Sequence, residues 1–264
     1  LLLSLLLTCS FAVCQQTQAD TQTADAPVAN PGRPTVSTPA TLTPVGYLQF
    51  ESGALGATDS PGLDSQVSFN EVIKYSPLRW LQLLVSAQPF AHTQVSGQTA
   101  NEAGDVDLGF QVVAHQGEGA NPTVAFSYFG RVYEGAAPDL DIASFKNSAF
   151  LLISGDVKGF HYDTNYIFNE LTDARVRRAA FGQTLSVSHA LHGNFGISGE
   201  LWHFTQPFLR GNAVANLWAL NYNASKTLVF DCGFQHGLTH TSTQWEAFAG
   251  FTYLLPHKLP LRSR

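Results

Sequence analysis

Ser188 and His189 are neighbours in this chain, and a serine beside a histidine is where a hydrolase reading would start. A nucleophile needs its base within hydrogen-bond reach, yet adjacent residues on a strand point to opposite faces. Ser186 is no better placed, and no Gly-x-Ser-x-Gly elbow is present. Nine histidines invite a metal reading. His236 and His240 have the spacing of ligands on a helix, but they fall on a strand end and its loop. No cysteine or second His pair completes a site there, and no metal or cofactor is expected. What remains is a set of charged and amide side chains: Asp105, Asp107, Gln111, Arg131, Asp163, Asn165, Arg178, Glu200, Asp231, Gln235 and Glu246. They are assigned to the inward, polar face of alternating runs. Gathered that way they would line an interior and tune the passage of solutes, or pair across it and plug it. Both readings stay open.

The elements that must position them are strands. From Thr227 to Leu255 the chain reads TLVFDCGFQHGL, THTS, TQWEAFAGFTYLL. Leu228, Phe230, Cys232 and Phe234 share one face, opposite Asp231, Gly233 and Gln235; Trp245, Ala247, Ala249, Phe251, Tyr253 and Leu255 share another, opposite Glu246 and Thr252. A period of two means strands, and these runs match the roughly 9–11 residues of a tilted strand crossing a bilayer. Ten further runs precede them, at about 45–52, 66–75, 81–88, 105–115, 123–132, 147–157, 160–169, 178–191, 195–205 and 212–224. A short helix over Pro77–Gln88 is an alternative for the third. Short connections (Ser76–Trp80, Gly117–Asn121, Lys158–Gly159, His192–Asn194, Ser225–Lys226) alternate with longer ones such as Gly53–Ser65, Phe90–Ala103 and Tyr133–Lys146. Outer-membrane barrels keep short periplasmic turns and longer external loops. Tyr75, Trp80, Tyr133, Tyr166, Trp245 and Tyr253 fall near strand ends, where membrane barrels carry aromatic girdles.

The composition agrees. Charged residues are only 13%, and there are nineteen Phe, eight Tyr and four Trp. One face toward lipid and the other neutral-polar would produce that mixture. A formal charge of −6 without a basic cluster argues against nucleic acid. No later run of about 18 apolar residues exists, so a secreted chain that reaches a membrane must close a barrel. Residues 1–14, LLLSLLLTCSFAVC, read as a signal peptide truncated at its start. Residues 15–44, rich in Gln, Thr, Ala, Asp and Pro, read as a disordered periplasmic leader. The barrel is expected over 45–255, with a tail at 256–264.

Three stretches carry a family resemblance: GYLQFESG (Gly46–Gly53), GDVDLGFQ (Gly104–Gln111) and GLTHTSTQWEAFAGFTY (Gly237–Tyr253). The most specific residues are Gly237, Leu238, Thr239, Ser242 and Trp245, with Gly104 and Asp107. The chain from about Gly46 resembles the family described as "putative MetA-pathway of phenol degradation", a set of outer-membrane barrels often called transporters. The resemblance implies an outer-membrane barrel and a link to aromatic or hydrophobic compounds, and supplies no catalytic residues. One departure is that PHKLPLRSR follows Leu255, which makes the aromatic assembly signal internal.

The expectation is therefore an all-β protein: a transmembrane antiparallel up-and-down barrel of about 12 strands in a bacterial outer membrane. It would be exported by its signal peptide, inserted by the barrel-assembly machinery and surrounded by lipid. Its function would be passive passage of small, aromatic or hydrophobic solutes. A closed structural or adhesive barrel is the alternative, and a lipid-acting barrel hydrolase a further one.

Overall fold

The computed structural model describes residues 26–138, 140–141, 145–173 and 175–259. The expected signal peptide, the first part of the leader and the end of the tail lie outside them. Thirteen strands follow one another: β1 (Leu48–Ser60), β2 (Leu63–Leu78), β3 (Leu81–Val95), β4 (Gln98–Glu102), β5 (Val106–His115), β6 (Thr123–Tyr133), β7 (Phe145–Val157), β8 (Phe160–Asp173), β9 (Val176–Ala190), β10 (Phe195–Gln206), β11 (Gly211–Asn223), β12 (Leu228–Gly237) and β13 (Trp245–Leu254). Each pairs antiparallel with its sequence neighbour, save that β3 continues to β5 beside the short flap β4. β1 pairs with β13 from Gln49↔Leu254 to Thr58↔Trp245. Twelve strands thus form a closed antiparallel barrel and β4 hangs on its rim. Closure leaves no sheet edge, so the ladder satisfies the wall's backbone groups internally.

The barrel wears its apolar residues outside. On β12 Phe234 is 47% exposed while Gln235 is 3% exposed. The same inversion recurs at Leu185 and Val187 against Thr184 and Ser186, and at Tyr166 and Phe168 against Asn165 and Asn169. A water-soluble sheet would bury the first set; a wall facing hydrocarbon exposes it. The candidate helix over Pro77–Gln88 is a strand, because Leu81–Ala87 pairs with both β2 and β5.

The two ends differ. At one, hereafter the turn end, two to seven residues join β2–β3, β5–β6, β7–β8, β9–β10 and β11–β12. At the other, the loop end, the strands run on beyond their expected limits. Gly53–Ser60 and Leu63–Ser65 are strand around a two-residue turn, not a loop, and Phe90–Ala103 is mostly the β3–β4 hairpin. The polar residues there made strand look like loop.

The expected disordered leader needs correction over its described part. From Ala29 to Thr43 the chain enters the barrel at the turn end, crosses the lumen and returns to start β1. Ala29 N–H donates to the Lys226 carbonyl at 2.8 Å and packs on Val229 and Leu254. The two limbs of this strap meet where the Asn30 amide donates to the Thr41 carbonyl at 2.9 Å. Ser37 and Ala40 are fully buried. A coil without hydrophobic period is ordered here because the barrel interior supplies polar partners to its backbone.

Candidate functional site

The lumen is the candidate site, and the strap divides it. Inward carboxylates and amides hold the strap by its backbone. Glu200 on β10 accepts from the N–H groups of Val36 (2.7 Å) and Ser37 (2.6 Å) and from the Ser37 hydroxyl (2.5 Å). Asn165 on β8 accepts from Thr38 N–H at 2.7 Å and donates to its carbonyl at 2.9 Å. The Gln111 amide on β5 donates to the carbonyls of Pro39 (3.0 Å) and Ala40 (3.1 Å). Ser154 on β7 accepts from Ala40 N–H at 2.7 Å, and Gln82 on β3 from Thr43 N–H at 2.9 Å. Arg33 pairs with Asp231 on β12 at 3.2 Å. Its guanidinium lies against Gly53 and Gly250, where a Cβ would overlap it. Gly53, part of the GYLQFESG stretch, is thus a glycine because Arg33 needs the space.

Of the residues assigned to the inward face, Asp107, Gln111, Asp163, Asn165, Glu200, Asp231, Gln235 and Glu246 are buried inside the wall. Four of them hold the strap. Asp163 accepts from the Ser154 hydroxyl at 2.5 Å and faces His161 at 3.3 Å. Asp105 and Arg131 form an ion pair at 2.7 Å near the loop end, where Asp105 also accepts from Gly135 N–H at 2.8 Å. Arg178 is the exception. It has inward parity on β9 but stands exposed near the loop end, donating to the Pro207 carbonyl at 2.6 Å and lying 5.0 Å over the Phe208 ring.

Other functional residues escaped the sequence reading. Lys74 on β2 and Glu51 on β1 form a buried ion pair at 2.5 Å. Their inward parity was a usable signal. Asp141, in the loop between β6 and β7, had none. It reaches across the loop end, where its carboxylate accepts from Thr243 N–H at 2.6 Å and from the Gln235 amide at 3.4 Å. Gln235 is itself fixed by the Trp202 indole N–H at 2.8 Å, and the same loop accepts at Pro138 from Gln66 at 3.3 Å. Burial pushes the Asp141 carboxyl up from its ordinary value, against the pull of the Thr243 hydrogen bonds.

Two cavities flank the strap. Toward the loop end, one of about 300 Å³ is lined by Phe129, Phe150, Ile167 and Phe204 along β6–β10, by Glu51, Lys74, Leu84 and Asp107 along β1–β5, and by Arg33 and Val36 of the strap. Asp107 Oδ1 has no hydrogen-bond partner among the described residues. Toward the turn end, a polar cavity of about 470 Å³ includes His161, Asp163, Ser186 and Ser188. His189 is on the outer surface, its ring 4.7 Å from Phe160, so it serves neither serine. His161 is cross-strand from Ser188, but its ring nitrogens face Asp156 (2.9 Å) and Asp163 (3.3 Å). Neither nitrogen is available to take a serine proton. His236 packs on Trp245 at 4.3 Å, and no group of three or more metal-ligating side chains lies together among the described residues.

The residues of the Gly237–Trp245 stretch build a turn. Ser242 Oγ donates to the Val214 carbonyl at 2.9 Å and accepts from its N–H at 2.8 Å, and Thr239 Oγ1 donates to the Asn212 carbonyl at 2.8 Å. They fold the β12–β13 loop onto β11.

No family model matches the chain, and no curated protein matches it. Solved structures do. The COG4313 outer-membrane channel of Pseudomonas putida F1 superposes with a TM-score of 0.59 at 12% identity, covering 86% of this chain and 99% of that one. The NanC porin gives 0.55 at 9% identity, covering 79% and 100%. The KdgM porin gives 0.52 at 10% identity, covering 78% and 98%. The fold is that of outer-membrane channel and porin barrels.

Proposed function

We propose that this protein is an outer-membrane channel that passes small aromatic solutes bearing a polar group. The observation that carries the reading is the cavity on the loop side of the strap, with an aromatic and aliphatic wall facing Lys74 and the free oxygen of Asp107. An aromatic ring fits the first wall, and a hydroxyl can donate to the second. A space of about 300 Å³ is ample for a single-ring molecule, since a cavity of about 150 Å³ already holds benzene. The turn end would be periplasmic and the loop end external, with the N-terminal apolar run directing export and WEAFAGFTYLL serving assembly. The resemblance to the phenol-degradation family and the barrel fold both support this reading.

The strap and the fully buried Trp202 favour a second reading, a closed barrel with a structural or adhesive role. Uptake separates the two. Proteoliposomes holding the refolded protein should admit phenol faster than a sugar of similar size, and Asp107→Ala should reduce the difference. Equal rates with and without protein would sink the channel reading.

A further inference from the structure

On the outer face of β6–β9, near the loop end, four outward side chains form a hydrogen-bonded row. The Tyr128 hydroxyl donates to Asn147 at 2.6 Å, the Asn147 amide donates to Glu170 at 2.5 Å, and Arg177 pairs with the other Glu170 oxygen at 3.0 Å. The row sits above an open trough of about 350 Å³ whose floor is Ala149, Phe168 and Ala179, with Arg177 and Arg178 at its upper rim. Through Ala149 and Phe168 it continues into a second trough walled by Phe126, Leu151, Tyr166 and Phe181. Small side chains between large ones make a furrow running down a wall that is otherwise apolar.

The charge beside the furrow is out of character for this acidic chain. At the loop end of β6–β9 Lys146, Arg175, Arg177 and Arg178 are exposed, Arg177 on the outer face and Lys146 and Arg178 at inward parity beyond the enclosed lumen, against Glu134, Glu170 and Asp173. Four cations over three carboxylates leave a small positive surplus in a protein of net charge −6. Arg177 spends one edge of its guanidinium on Glu170, and its planar fork retains donors suited to a phosphate. The polar row marks a level where the wall passes from apolar to aqueous, which is where lipid headgroups lie.

We infer that this face binds a phosphorylated, multiply acylated glycolipid of the outer leaflet, its acyl chain in the Ala149–Phe168 furrow and its phosphate at Arg177 and Arg178. The inference rests on the outer-membrane reading above but not on any solute passing through the lumen. Basic side chains at a membrane surface attract phosphorylated headgroups in this way.

The test is native mass spectrometry of the refolded full chain in detergent with three probes: bisphosphorylated lipid A, the same lipid stripped of phosphate, and inorganic phosphate. Bisphosphorylated lipid should be retained about tenfold better than the dephosphorylated form. Arg177→Gln with Arg178→Gln should abolish that preference. Glu170→Gln, which frees Arg177 from its competing carboxylate, should strengthen it. Heat-modifiable electrophoretic mobility verifies that each variant is folded. Equal retention of both lipids, full competition by inorganic phosphate, or a folded double variant that keeps the preference would overturn the inference. A barrel that conducts but ignores the phosphates contradicts only this inference; one that reads the phosphates but admits no solute contradicts only the channel.

Discussion

Glu200 is the carboxylate on which the apex of the strap hangs, and its removal has a calculable consequence. In Glu200→Ala the N–H groups of Val36 and Ser37 lose their acceptor, while the Ser37 hydroxyl keeps its partner Thr184 at 2.8 Å. A buried N–H left without a partner costs about 1–3 kcal/mol, so two cost about 2–6 kcal/mol. The rest of the strap stays tied at Asn165, Gln111 and Asp231, so the loosening is local. At about 1.4 kcal/mol per decade, the open population at the apex rises at least about thirtyfold. Amide hydrogen exchange followed by mass spectrometry on peptides covering 33–40 reads that population directly. Exchange at Val36 and Ser37 should accelerate by at least that factor in Glu200→Ala, and by less in Glu200→Gln, which keeps an acceptor oxygen. Unchanged protection in Glu200→Ala would refute the reasoning that the carboxylate holds the strap.

Three other perturbations probe the wall, the interior and the rim. Val187→Arg places a charge on the exposed apolar face and should cost about 2–4 kcal/mol of insertion, whereas Ser186→Arg, beside Asp163 in the turn-end cavity, should be tolerated; folding yields into lipid vesicles compare them. Lys74→Met strands the Glu51 carboxylate and should cost about 3–5 kcal/mol in urea unfolding, and the double variant Lys74→Met/Glu51→Gln should recover most of it. Asp141 sets a pH dependence at the rim. Its carboxyl is raised from 3.8 in the anchored loop by burial, so the anchored state favours the protonated form. Its contribution to anchoring is therefore complete below the ordinary carboxylate range and is lost as pH rises through the raised value. Limited proteolysis of the 134–144 loop should speed up with rising pH, and Asp141→Asn should flatten that response.

The barrel was legible because its signal repeats. Alternation from Leu228 to Phe234, or from Leu185 to Val187, tells which side of a wall each residue takes whatever the wall encloses. Parity alone placed Glu200, Asn165, Asp231 and Gln235 inside. It failed for Arg178 because parity gives a face and not a height, and that residue lies beyond the enclosed lumen. The strap was illegible for a different reason. Ser37, Thr38 and Ala40 owe their order to partners 114 to 163 residues away, and a coil satisfied by distant side chains has no local period. Asp141 is hidden likewise, since its partner Thr243 is 102 residues further on. Loop lengths were overestimated because the rim ends of β1 and β3 are rich in small and polar residues on both parities, so buried inward positions such as Ala57, Ala91 and Thr93 do not stand out in hydropathy.

The claim that matters most is that a small aromatic solute passes the strap inside this barrel, and single-channel recording in a planar bilayer tests it most directly. The full chain should give small, steady ohmic steps that phenol blocks and an uncharged sugar does not. A chain lacking the strap residues 29–42 should give larger steps and lose the phenol block, because Val36 and Arg33 leave the cavity with it. A folded, inserted barrel silent in both forms would contradict the account and leave the closed barrel in its place.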